Sequence, residues 1–290
     1  MMKLPVALSL VLLLSPSMLA QKPSYMSAAE VRHISGSGTL TANDPRPLMQ
    51  AVEAISEEYG WTLDYEDPPY QSHFDVVDVT APEWRAAHPH DKGAITIAGG
   101  LFRSNFSEPS AENGEEKVLE KLVADYNASG NPGKFAVRKV TDSRYAIVGV
   151  SRRDEQGSDQ AINALLDTPI TLPIQPRDAE VMLHLILDTL AQKSGVNIKL
   201  GTIGFTSNPL QGASVTVGGA SLPARTLLLQ VLDGLDSSQH FQGIFAWNFL
   251  FDPYSSDYWL RLRSVTKAET DVSGKRVVEF VRRPTAKDKM

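Results

Sequence analysis

Cysteine is absent from this 290-residue chain. That excludes disulfides, thiolate metal sites, cysteine nucleophiles and a lipid-modified N-terminal cysteine. Long apolar runs are scarce too. Residues 6–14 form a compact one that is too short to span a bilayer comfortably, and no later segment is long and apolar enough to do so. Basic charge is in deficit: 28 Lys and Arg stand against 34 Asp and Glu, a net charge of −6. Phosphate binding needs a basic footprint, so this balance argues against a generic nucleic-acid binder. Catalytic signatures are missing as well. There is no nucleophile elbow, zinc-protease helix motif or kinase set, and the pairs Gly99-Gly100 and Gly218-Gly219 fit neither the dinucleotide fingerprint nor the Walker pattern. Carboxylates are plentiful but unpaired by spacing, which gives no argument for or against a glycosidase.

What is present begins with an export signal over residues 1–20. Lys3 supplies the positive start, residues 6–14 the apolar run, Ser15-Pro16-Ser17 the break, and Ala20 a small residue before a cut at Gln21. Met18 fits the cut site poorly, and an uncleaved anchor is the alternative. The expected location is the periplasm or the outside of a bacterial-type cell. A chain with 42% hydrophobic residues can build its core there without disulfide staples.

Two stretches of the chain run through the same order of elements. Leu48, Val52, Ile55 and Tyr59 recur at helical spacing in a run that ends at Gly60 and passes into a strand around Leu63 and Tyr65. Residues 178–194 form a second, more hydrophobic helix that ends at Gly195 and passes into Val196-Asn197-Ile198. Strands ending in Gly99-Gly100 and Gly218-Gly219 follow, then a helix and a closing hairpin in each. The spacing predicts an α+β fold of two tandem βαββαββ-like units, each with two helices on one face of a small mixed sheet. The first unit covers 38–150 and carries a long irregular insert at 67–91. The polar stretch 151–160 opens a linker that extends to 167. The second unit covers 168–265, and 266–290 reads as a flexible tail.

The second unit, with residues 170–174, the helix through Gly195, residues 196–200, 215–219 and the helix from Pro223, resembles the short N-terminal domain (STN-like) of secretins and TonB-dependent receptors. Residues 38–150 resemble it more loosely. The resemblance implies a periplasmic module that docks other proteins or its own copies. In those families a barrel or ring domain follows; here only the tail does.

Three groups of side chains invite a chemical reading. His88-Pro89-His90-Asp91, with His73 and Asp75, offers donors for zinc or copper, but one loop without a rigid scaffold rarely fixes such ligands. Glu180, His184 and Asp188 share one helix face and suit a metal or acid–base role; the simpler reading is the wet side of a buried helix. Phe245, Trp247, Phe249 and Phe251 share a strand face, either a stacking platform or core, and Trp259 shares a strand face with Arg261 and Arg263, an aromatic–cationic surface. The residues expected to make contacts are Trp84, His88 and His90 in the insert and Trp259, Arg261 and Arg263 in the closing hairpin. No catalytic residue, metal ligand or cofactor is assigned. The expected role is non-enzymatic binding of another envelope protein or self-association, without nucleic acid. The alternatives are a small-ligand binder with its site between the two units, and a hydrolase whose histidines meet carboxylates only in the fold.

Overall fold

The computed structural model describes residues 29–110, 114–201, 210, 212–236 and 243–282. The expected export signal and the last residues of the expected tail lie outside them.

The first half runs β1 (Glu30–Ile34), β2 (Ser37–Asn43), α1 (Pro47–Tyr59), β3 (Thr62–Glu66), β4 (Val76–Asp78), α2 (Pro82–Ala87), β5 (Ile95–Ile97), β6 (Leu101–Ser107), α3 (Glu115–Ala128), β7 (Lys134–Thr141) and β8 (Arg144–Arg153). After β9 (Asp159–Ala161) and a 3-10 turn at Leu165–Asp167 come β10 (Pro169–Asp178), α4 (Ala179–Ser194), β11 (Ile198–Leu200), β12 (Ser214–Pro223), α5 (Ala224–Asp236), β13 (Phe245–Asp252), β14 (Asp257–Ser264), β15 (Thr266–Thr270) and β16 (Arg276–Phe280). The fold is α+β, with helices lying on sheets.

Local chemistry sets the helix ends. Gly60 and Gly195 both adopt the left-handed conformation that closes α1 and α4, with φ of 73° and 72°. The Asp178 carboxylate accepts from the Glu180 and Val181 N–H groups and caps α4. α1 has no side-chain cap and begins with Pro47 in its first turn; just before it, Asp44 accepts from Arg46 N–H at 2.7 Å and Gln50 Nε2 at 2.7 Å.

Both halves use the same pairings. β2 pairs antiparallel with β6, β3 parallel with β8, and β8 antiparallel with β7. In the second half β10 pairs antiparallel with β12, β11 parallel with β14, and β14 antiparallel with β13. The strands of each half thus divide between two sheets, where one small sheet per unit was expected. Moreover, β13 runs parallel to β3, so one seven-stranded sheet, in the order β11-β14-β13-β3-β8-β7 with β9 on β8, crosses from one half to the other.

That seam joins the two halves in one sheet, and side chains build most of it. Backbone register joins only Asn248 to Tyr65 and Phe249 to Glu66. Beyond it, Trp247 N–H donates to Asp64 at 3.1 Å and Phe251 N–H to Asp67 at 3.0 Å. Glu66 is ion-paired with Arg225 of α5 and accepts from Leu166 N–H at 3.1 Å. Burial raises the Glu66 pKa, and Arg225 offsets that only in part. All five residues of β3 are buried, including Asp64 and Glu66.

Three stretches expected to be irregular are ordered. The expected linker contains the end of β8 and all of β9, which pair with each other. The insert contains β4 and α2, and β4 pairs antiparallel with β5, the strand that follows it. The expected tail forms the β15–β16 hairpin, which packs on α1 and is tied back by Ile244 N–H to Val281 O at 3.1 Å and Val281 N–H to Val265 O at 3.0 Å. Backbone pairing orders these polar segments although their side chains bury little, which composition does not register. The two glycine pairs are not equivalent. Gly99 and Gly100 precede β6, whereas Gly218 and Gly219 lie within β12.

Candidate functional site

β13 and β14 present two unlike faces. Phe245, Trp247, Phe249 and Phe251 are all buried in the core, so the stacking-platform reading of these rings is overturned. Ala246, Asn248 and Leu250 point the other way, opposite Arg263, Arg261 and Trp259 of β14. α1 covers that second face from its C-terminal end. Ser56 Oγ meets Arg263 Nη1 at 3.1 Å, and Glu53 Oε1 accepts from Asn248 Nδ2 at 2.5 Å. The helix starts at Pro47, and beyond it the face is uncovered.

A cleft of about 570 Å³ opens at that point. Leu250, Asp252, Pro253, Trp259 and Arg261 line one side, Arg46 the helix end, and Ile95 and Thr96 of β5 the opposite side. Of the regions expected to make contacts, only the Trp259–Arg261 face borders this space; β5, which follows the insert, supplies Ile95 and Thr96, and no residue of 67–91 lines the cleft. Gly201 also lines it. A Cβ there would fall 2.9 Å from Arg261 Cγ, so the bare glycine gives the arginine its room.

The charges around the cleft are partly committed. Arg46 Nε donates to Asp67 at 2.9 Å, and Arg46 Nη2 also contacts Phe251 O. Burial works against the Arg46 charge, and Asp67 outweighs it, so the Arg46 pKa is raised. Lys199 Nζ lies 2.5 Å from Asp257 and 5.0 Å from the centre of the Trp259 ring. The hydrogen bond from Lys199 holds the Asp257 carboxyl below its ordinary range. The Asp252 oxygens accept from Tyr254 N–H at 3.0 Å and Ser255 Oγ at 2.8 Å, within the hairpin turn. Arg261 is exposed and makes no hydrogen bond or ion pair among the described residues.

The remaining expected residues are scattered. Arg263 shares the strand face of Trp259, but the overlying helix takes it out of the surface. It donates to Leu63 O at 2.6 Å as well as to Ser56, and burial lowers its pKa. Trp84 is 40% exposed on α2 and stacks on His88, with ring centres 4.6 Å apart; His90 is exposed nearby, and none of the three lines the cleft. His73 is exposed with its ring tilted against Phe74, while Asp75 is buried 3.3 Å from Arg153, so these two candidate donors have different neighbours. Among the described residues no group of three His, Asp or Glu side chains suits a metal ion. On α4, His184 and Asp188 are exposed and Glu180 half-buried, over buried Met182, Leu183, Ile186 and Leu187, which is the wet-face arrangement.

Sequence reasoning missed Arg46, Ile95 and Thr96 at the cleft and the carboxylates of the seam. The one legible signal was Asp64 and Glu66 alternating with apolar neighbours in a strand. That pattern suits a solvated face equally well.

The chain matches no family model, no curated protein and no solved structure. Among the described residues no helix is long and apolar enough to cross a membrane.

Proposed function

We propose that this chain is a non-enzymatic docking protein, exported to the periplasm or cell exterior by residues 1–20, that binds another envelope protein or a second copy of itself. One observation carries the reading. Phe74, Val77, Val79 and Trp84 are all exposed within the small insert, and Ile95 just after it. Apolar side chains gathered on one short subelement mark an interaction surface, because leaving them in water forfeits the burial they are suited to. The repeated pairings of the two halves support a relation to the STN-like docking module, and the shared sheet supplies a stiff frame for the insert.

The test is recovery of a partner from envelope extract by the full tagged chain, against Val77→Ser/Val79→Ser. Point substitutions are preferable to deleting 67–91, because Asp67 belongs to the seam. Loss of a specific partner with the double variant supports docking through the insert. Equal recovery by both chains counts against it.

A second reading is small-ligand binding between the halves. It is favoured by a junction cavity of about 590 Å³, within the usual size of ligand sites, lined by Gln71, Arg152, Asn163, Leu165, Val196 and Tyr258 among others. A thermal shift with a small metabolite, abolished by Asn163→Trp, would favour this reading over docking.

A further inference from the structure

We propose that the cleft beyond α1 binds an extended segment of the partner protein as an added strand on β5, with a carboxylate of that segment held by Arg261 and a neighbouring apolar side chain laid on Trp259. The proposal rests on the docking reading and specifies its site.

β5 has a strand partner on one side only: among the described strands it pairs with β4 alone. Consecutive residues of a strand point to opposite faces, yet both Ile95 and Thr96 line the cleft. The backbone edge of β5 therefore borders the cleft. An unpaired edge is a template for a further strand, whose main-chain hydrogen bonds supply affinity while pockets for its side chains supply choice.

Charge selects the side chain. Arg46, Lys199 and Asp252 already have partners, through Asp67, Asp257 and the hairpin turn respectively. Among the described residues, the charged group of the cleft without a partner is the Arg261 guanidinium, a planar fork of donors that matches a carboxylate. Trp259, Leu250 and Pro253 give the same cleft an apolar floor, and Ile95 stands exposed opposite them. The fitting segment is extended, with an Asp or Glu next to an apolar residue.

The test selects random phage-displayed peptides on the full chain and measures a labelled, enriched peptide by fluorescence anisotropy. The expected peptides carry an acidic residue beside an apolar one. Affinity is expected to fall roughly tenfold with Arg261→Gln, and about as much when the acidic residue of the peptide becomes its amide, without a further loss when both changes are combined. Trp259→Ala and Ile95→Pro, which removes an N–H pointing away from β4, weaken binding as well, with circular dichroism showing each variant folded. Peptides without an acid preference, or indifferent to Arg261→Gln and Trp259→Ala, overturn the proposal. So does a selection that yields nothing while free glucuronate binds in the cleft, which would make it a sugar-acid site. If the envelope partner is still lost with Val77→Ser/Val79→Ser but retained with Arg261→Gln, the docking reading stands and this site assignment falls.

Discussion

Arg144 grips Asp64 with two hydrogen bonds, from Nε and Nη2, each 2.8 Å long. Both side chains are buried, and the arrangement reaches across the seam. Arg144 Nη2 also donates to Phe245 O at 2.9 Å, its guanidinium lies 4.8 Å from the centre of the Trp247 ring, and Asp64 accepts from Trp247 N–H. One ion pair of the first half thus holds β13, the strand of the second half that borders the seam.

Removing one partner leaves the other charged and buried. Arg144→Met is expected to destabilise the protein by about 3–5 kcal/mol, and Arg144→Met/Asp64→Leu by less than either single change. Urea unfolding followed by fluorescence and by circular dichroism checks this. Both probes should report one coincident transition, since the halves share a sheet. Two separate transitions in the native chain would show the halves folding independently.

The β15–β16 hairpin belongs to the folded body. Truncation after Val265 leaves Ile244 N–H without its Val281 acceptor and uncovers Val265, which is fully buried in the intact chain. A loss of about 1–3 kcal/mol is expected, read from the same urea transitions.

His33 ties β1 to the rest of its sheet and to α1. Its ring contacts Glu108, beyond the end of β6, and lies 2.9 Å from Glu58 of α1. The hydrogen bond to Glu108 is the main reason its pKa is raised above 6.5. A pKa raised on folding gives stability that is fully present below the unfolded value and is lost as pH rises through the folded one. Amide exchange in β1, corrected for intrinsic rates, should therefore accelerate as pH climbs past neutrality. In His33→Gln it should be fast at both ends and flat between them.

Gly149 marks the point where β8 runs under the start of the insert. A Cβ there would fall 2.5 Å from Pro68 N and 2.6 Å from Pro68 Cδ. Gly149→Ala is expected to destabilise by about 1–3 kcal/mol, because backbone and a ring must shift to admit one methyl group. Thermal unfolding measures it.

Helices that carry their own punctuation were legible from sequence. α1 was read over its observed span because its apolar stripe is bounded by Pro47 and Gly60, and α4 because Asp178 and Gly195 bracket it. What was not legible depended on long-range pairing. Asp64, Glu66 and Asp67 find their partners in Arg144, Trp247, Arg225 and Phe251, up to 184 residues away, and no local pattern reports that. The cleft was half legible. Trp259 and Arg261 were singled out by alternation, but where the covering helix begins decided that these two stay open while Arg263 is enclosed.

Photo-crosslinking tests docking through the Arg261 cleft most directly. A benzophenone side chain is placed at Tyr254, exposed on the turn between β13 and β14, or at His184 on the wet face of α4, in full chains incubated with envelope extract. The account predicts a discrete adduct from position 254 that is lost with Arg261→Gln, and none from position 184. An adduct from 184 alone, or one from 254 that persists in Arg261→Gln, would contradict it.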